Sequence, residues 1–95
     1  MKVTHNPAAS AFEAQVGGQV ARCEYRRHAG RLDIVHTEVP PSAQGQGVAG
    51  ALVREALAWA RAEGLRVRPL CSYAEQYMRE HPETHDLLDG DARFD

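Results

Sequence analysis

Residues 39–50 read VPPSAQGQGVAG, and the fold turns on what that stretch is for. Gly45, Gly47 and Gly50 stand in the spacing G-x-G-x-x-G, the fingerprint of a dinucleotide-binding turn. That reading needs the first glycine directly after a strand and an acidic residue about 20 positions further on. Here five residues, two of them proline, separate Val39 from Gly45, and the chain at about that distance past Gly50 reads PLCSY, without a carboxylate. A triphosphate-binding loop is excluded as well, because Ala51-Leu52 follow Gly50 where Lys-Ser/Thr would stand. What remains is a strand, a proline bend and a glycine-rich loop that opens a helix. Backbone N–H groups at such a place carry the positive end of the helix dipole and suit a phosphate. On that reading Gly45, Gly47 and Gly50 keep side chains out of the way of backbone approach. The competing reading is a loop that needs glycine for turn geometry alone and binds nothing.

Upstream, residues 11–39 read as three short strands of an antiparallel meander. Phe12, Ala14 and Val16 alternate with polar neighbours, and Gly17-Gly18 supplies a two-residue hairpin turn. Ala21, Cys23 and Tyr25 share a face of the second strand, and HAG makes the second turn. In the third strand Val35, Thr37 and Val39 lie on one face and Leu32, Ile34 and His36 on the other, with Glu38 beside His36. The arginines of YRRHAGR read as a solvated hairpin tip, and Cys23 as a residue packed beneath the meander.

Downstream, a helix is expected from about residue 47 to 63. Ala49, Leu52, Val53, Ala56, Leu57 and Ala60 recur at helical spacing, Trp59 edges the stripe and Gly64 caps the end. Residues 65–70 form a fourth strand, parallel to the third through a right-handed crossover. Ser72 and Glu75 read as a capping box, opening a helix that ends near Glu80 because Pro82 disfavours helix at His81. Leu87 and Leu88 anchor the end, and residues from 89 onward are expected to fray. The fold class is therefore α/β (α+β), in a single domain over residues 1–95.

The chain has 95 residues, 25% of them charged, with a net charge of -2 and a pI near 6.2. A broad nucleic-acid-binding face would be basic, so no nucleic-acid partner is expected. No apolar run approaches the roughly 20 residues of a membrane span, and MKVTHNPAAS lacks the apolar core of a signal peptide. Cys23 and Cys71 form no C-x-x-C pair, which fits reduced thiols and a cytoplasmic setting. His81 and His85 are four apart but straddle Pro82 without a general-base Glu between them, so no metal site is expected.

The run V-P-P-S-A-Q-G-Q-G-V-A resembles motif A of the GNAT acyltransferases, with Val39, Pro41, Gln44, Gly47 and Ala49 in register. The resemblance extends through PLC and YMREHPE to a short branch of GNAT-like proteins of about this length. It implies acetyl-CoA, or another acyl-CoA, as cofactor. The pyrophosphate would rest on the N–H groups of Gln44, Gly45, Gln46, Gly47, Val48, Ala49 and Gly50, and the pantetheine arm would lie near Thr37 and Val39. Acetyl transfer to an amine acceptor is the implied activity, and an acyl-CoA-binding module without transferase activity is the alternative.

Cys71 is the first catalytic candidate, because it ends the fourth strand beside a helix N-terminus, a position that favours the nucleophilic form of a thiol. The branch has cysteine at the matching place, where an acyl-cysteine or a thioester contact is plausible. Glu75, one turn on, works against it. Tyr77 is a candidate acid, though the family's tyrosine falls one residue later, at Met78. His36 and Glu38 are candidate bases. Larger members carry a strand and two helices before the meander, so a homodimer is expected to complete the acceptor groove here.

Overall fold

The computed structural model describes residues 1–90, and within them five strands form one sheet in the order β1-β2-β3-β4-β5. The strands are β1 (Val3–Asn6), β2 (Ala11–Val16), β3 (Gln19–His28), β4 (Arg31–Glu38) and β5 (Arg66–Pro69). The first four are antiparallel and β5 joins β4 in parallel. Helix α1 (Val48–Ala62) makes the crossover, and α2 (Ser72–Glu80) follows β5.

The expected meander is present, and its hairpins form where glycine permits them. Gly17 and Gly18 take φ of 57° and 78°, the left-handed pair that a tight two-residue hairpin demands. The second turn is Ala29-Gly30. Arg26 and Arg27 are exposed, as a solvated tip requires, although Arg27 also lies 5.3 Å above the Trp59 ring and 3.0 Å from Glu63, and Arg31 bonds Asp33.

The structure adds β1, a strand that the sequence pattern does not announce. It pairs Val3–Asn6 with β2, and its His5 ring stacks on Phe12 with centroids 4.2 Å apart. His5 Nε2 lies 2.6 Å from the Tyr25 hydroxyl, and Trp59 meets the same ring edge-on at 4.5 Å. Burial lowers the pKa of His5 below its ordinary value and raises that of Tyr25 above it, since each charged form would lose water.

Helix α1 buries Leu52, Val53, Ala56, Leu57 and Ala60 as its spacing predicts. It stops where Gly64 turns left-handed at φ 69°, with Leu65 N–H donating to Ala60 O and Gly64 N–H to Arg61 O. That pair of bonds is a Schellman ending. Ala74 and Met78 of α2 and Leu87 of the following 3-10 segment (Pro82–Leu87) enter the same core as α1. α1, α2 and that 3-10 segment thus stack on one face of the sheet. Asp89 N–H donates to Val67 O; the rest of the expected frayed tail, from 91 on, lies outside the described residues.

Two local expectations change. The N-cap of α2 is Cys71, not Ser72: its sulfur accepts from Ala74 N–H at 3.3 Å. A thiol can do what a hydroxyl does at a cap when it stands one residue nearer the strand. Glu75 then falls one place beyond the capping-box position. The second change is a β-bulge. Glu24 pairs with His36 but Tyr25 pairs with Ile34, which leaves Val35 opposite no residue. One extra residue reverses the alternation of everything after it. Leu32 and Ile34 face the core, but His36 and Glu38 do not share that face, contrary to the unbroken pattern. Thr37, paired with buried Cys23, faces the helices instead.

Candidate functional site

β4 and β5 pair only as far as Ile34 and Pro69. The N–H groups of Leu70 and Cys71 both donate to Ile34 O, at 2.9 and 3.1 Å, and close the ladder. Beyond it β4 continues to Glu38 without a partner on β5, so the strands part. Past this fork Pro40 and Pro41 bend the chain, because neither can donate to a sheet. Gln44 Nε2 donates back to Val39 O at 3.1 Å and holds the loop against the strand.

The loop then reaches α1 through two left-handed glycines, Gly45 at φ 81° and Gly47 at φ 78°. Gly47 is the N-cap, and no side chain caps the helix. The first-turn N–H groups of an α-helix find no partner within it, so those of α1 stand ready for an anion. A cavity of about 420 Å³ opens there, between the end of β4 and the start of α1. Thr37, Val39, Gln44, Gly45, Gly47, Val48 and Ala49, all expected at a cofactor site, line it.

Two expected residues do not. Gln46 turns away, donating to Ser42 O at 3.4 Å. Gly50 faces α2: a Cβ on it would stand 3.3 Å from the Tyr73 hydroxyl and 3.8 Å from Tyr77 Cε2. The third glycine therefore admits a neighbouring helix, whereas the first two serve loop conformation. Ala43 and Tyr73 line the cavity and were not anticipated. Ala43 follows from the short 3-10 turn Pro41–Ala43. Tyr73 lies on the side of α2 that meets Gly50, a placement set by how α2 packs on α1.

Tyr77 is not at this cavity. It stacks on His81 with centroids 3.9 Å apart and borders a separate groove with Arg54 and Glu83. Burial raises the pKa of both Tyr73 and Tyr77 above the ordinary phenol value. Cys71 stands behind Thr37, sulfur to hydroxyl 3.4 Å. Cys23, opposite Thr37 on β3, is fully buried, and burial pushes its thiol up to about 12. His36 Nε2 and Glu38 Oε2 lie 3.3 Å apart in solvent, on the sheet face away from the helices. His81 Nδ1 lies 2.6 Å from Tyr77 O, and His85 Nε2 2.6 Å from Met78 O. Among the described residues no group of three or more His, Cys, Asp or Glu could hold a metal ion. Nor is any described helix long and apolar enough to cross a membrane.

An antiparallel meander, a crossover helix opened by a bare glycine loop, and a fork between parallel strands make a mixed α+β fold consistent with the resemblance to the GNAT fold. The profile of the GCN5-related N-acetyl-transferase family matches residues 11–87, and the chain belongs to that family, whose domains generally bind acetyl-CoA. Over 51 residues it is 37% identical to Protein NATD1 of Gallus gallus, covering 54% of this chain and 46% of that protein. Protein NATD1 of Homo sapiens matches with 37% identity and that of Xenopus tropicalis with 35%, covering 45% and 47% of those proteins. The match thus spans about half the length of these relatives.

Proposed function

We propose that the chain binds acetyl-CoA, or another acyl-CoA, at the forked end of β4 and β5 and transfers the acetyl group to an amine. The observation that carries this reading is the juxtaposition of an uncapped helix N-terminus with a cavity bounded by Thr37, Val39 and Tyr73. A pyrophosphate would take the N–H groups of residues 44–49, and a pantetheine arm would run along Thr37 and Val39. When bound, the cofactor supplies an activated thioester.

In the transfer the amine nitrogen forms a bond to the thioester carbonyl carbon and the carbon–sulfur bond breaks. The nitrogen gives up a proton and the coenzyme thiolate gains one. In this reading His36 or Glu38 takes the first proton from an acceptor that enters the fork from the sheet face opposite the cavity. Tyr73, rather than Tyr77, gives the second in this reading, a choice supported by Tyr73 bordering the cavity where Tyr77 does not. Cys71, its sulfur already met by Ala74 N–H and the Thr37 hydroxyl, fixes the start of α2 beside the thioester. A covalent acyl-cysteine is the variant that mutagenesis must separate from this. An acyl-CoA-binding module is the second reading, favoured by the placement of His36 and Glu38 away from the cavity.

Calorimetric titration with acetyl-CoA tests the proposal. Saturable binding is expected, and its absence at millimolar ligand removes both readings. Turnover of an amine panel by wild type and by Cys71→Ala then separates them. Transfer that survives in Cys71→Ala supports direct attack; transfer abolished while acetyl-CoA binding is retained supports the acyl-cysteine. No transfer by wild type leaves the binding module.

A further inference from the structure

The helices of the described residues cover one face of the sheet and leave the other open. Parallel strand pairs are ordinarily covered on both faces, so the β4–β5 half in particular lacks a layer. The pairing register identifies the side chains on this open face, and they are sorted by sign. Glu13 faces Arg22, Arg22 faces Glu38, and Glu24 faces His36. This half holds three carboxylates against Arg22, which itself reaches Glu13 at 3.5 Å. Along the other diagonal Arg26 faces Asp33, His28 faces Arg31, and Arg66 and Arg68 face Arg31 and Asp33. This half therefore holds four guanidiniums and one carboxylate, with His28 Nε2 also 3.2 Å from Asp33. Arg68 grips Asp33 through two 3.0 Å bonds and Arg31 adds one of 2.9 Å, so the cluster is held in place. The bulge at Val35 completes the division, because it brings His36 and Glu38 onto the open face instead of Thr37.

We propose that this face is the interface of a homodimer, in which the acidic half of one copy lies on the basic half of the other. A two-fold axis lying in the interface and running between the halves sets each opposite its complement, the self-complementarity that an isologous contact requires. The face has room for it. The molecule spans 38 × 29 × 18 Å, and a standard interface takes about 800 Å² per partner. The charges steer the association and fix its register. His36 and Glu38 belong to the acidic half at the end of β4, so the second copy borders the fork. The inference does not depend on which cofactor binds.

Size-exclusion chromatography with light scattering tests it. Wild type is expected to be dimeric at about 50 mM salt and to dissociate toward about 1 M, where the Debye length shrinks to about 3 Å. Arg26→Glu and Glu24→Lys, two residues apart on the same face of β3, are each expected to be monomeric with unchanged circular dichroism. Mixed together they are expected to form a heterodimer, a rescue that a folding defect would not produce. A wild type that is monomeric at every concentration and low salt overturns the proposal. So does a dimer that neither salt nor the two substitutions weaken, or a mixture of the variants that fails to associate.

Discussion

Gly50→Ala and Gly47→Ala probe the loop in opposite ways. At Gly50 the backbone is ordinary helix, and a methyl would meet the Tyr73 hydroxyl at 3.3 Å, a tight contact with the far end of a mobile side chain. Moving that hydroxyl by a few tenths of an ångström costs little, whereas alanine in a helix interior is worth about 0.8–1 kcal/mol over glycine. Gly50→Ala is thus expected to be neutral, or stabilising by up to about 1 kcal/mol. Acetyl-CoA affinity should stay within about threefold, since the new methyl faces α2 and not the cavity. At Gly47 nothing lies within 4 Å of an added Cβ, but φ is +78°. The cost there is conformational, about 1–2 kcal/mol for an L-residue held left-handed. If the loop relaxes to escape it, the first-turn N–H groups lose their aim and binding weakens at least tenfold, about 1.4 kcal/mol. Urea unfolding and calorimetric titration of both variants check this. If Gly50→Ala abolished binding while stability held, the assignment of the third glycine to helix packing would be refuted.

Asp33→Asn is expected to lose about 3 kcal/mol in urea unfolding at neutral pH, the low end for a broken buried pair because its arginines reach solvent. Arg68 and Arg31 hold the Asp33 carboxyl below its ordinary value of 3.8. Its stabilisation is therefore complete above that value and lost as the pH falls through the folded one, so wild-type stability should drop more steeply in acid than the variant's. His5 runs to the same sign by another cause: burial lowers it from 6.5, the unfolded chain binds the proton first, and the thermal midpoint should fall below about pH 6.5. His5→Gln should flatten that slope over the same range. Native alkylation should modify half-buried Cys71 and spare Cys23, whose thiol is buried and pushed up to about 12. Peptide mapping of the alkylated protein reads the sites directly, and acetyl-CoA should slow the reaction at Cys71.

Much of this fold was legible because single residues mark its corners. Gly17-Gly18, Gly64 and Pro82 each allow one local geometry and exclude others, and the period of α1 follows from one face meeting the sheet. The strand β1 was not legible. Its four residues carry no alternation, and it is held by tertiary contacts of His5 with Phe12, Tyr25 and Trp59. The cap of α2 was misplaced by one because serine is the common capping residue and cysteine the rarer one, though the geometry of the strand end favours Cys71. The cavity loop was anticipated from Val39 to Ala49. Tyr73 was not, since its position depends on how α2 lies against α1, and no local pattern encodes that packing.

Val35 is the residue at which the site departs from the sequence pattern. LDIVHTEV reads as an unbroken strand, and alternation alone puts His36 with Leu32 and Ile34. One unpaired residue changes the parity, and three consequences follow from it. Thr37 turns toward the helices, where it meets Cys71 and lines the cavity. His36 and Glu38 turn to the opposite face, 3.3 Å apart. The same strand therefore presents a cavity wall on one side and an imidazole–carboxylate pair on the other. A fork without the bulge would place an imidazole and a carboxylate against the core, where burying charge is costly, and would leave Thr37 in solvent. The bulge is what lets a five-stranded sheet with helices on one face offer two different surfaces at a single strand end.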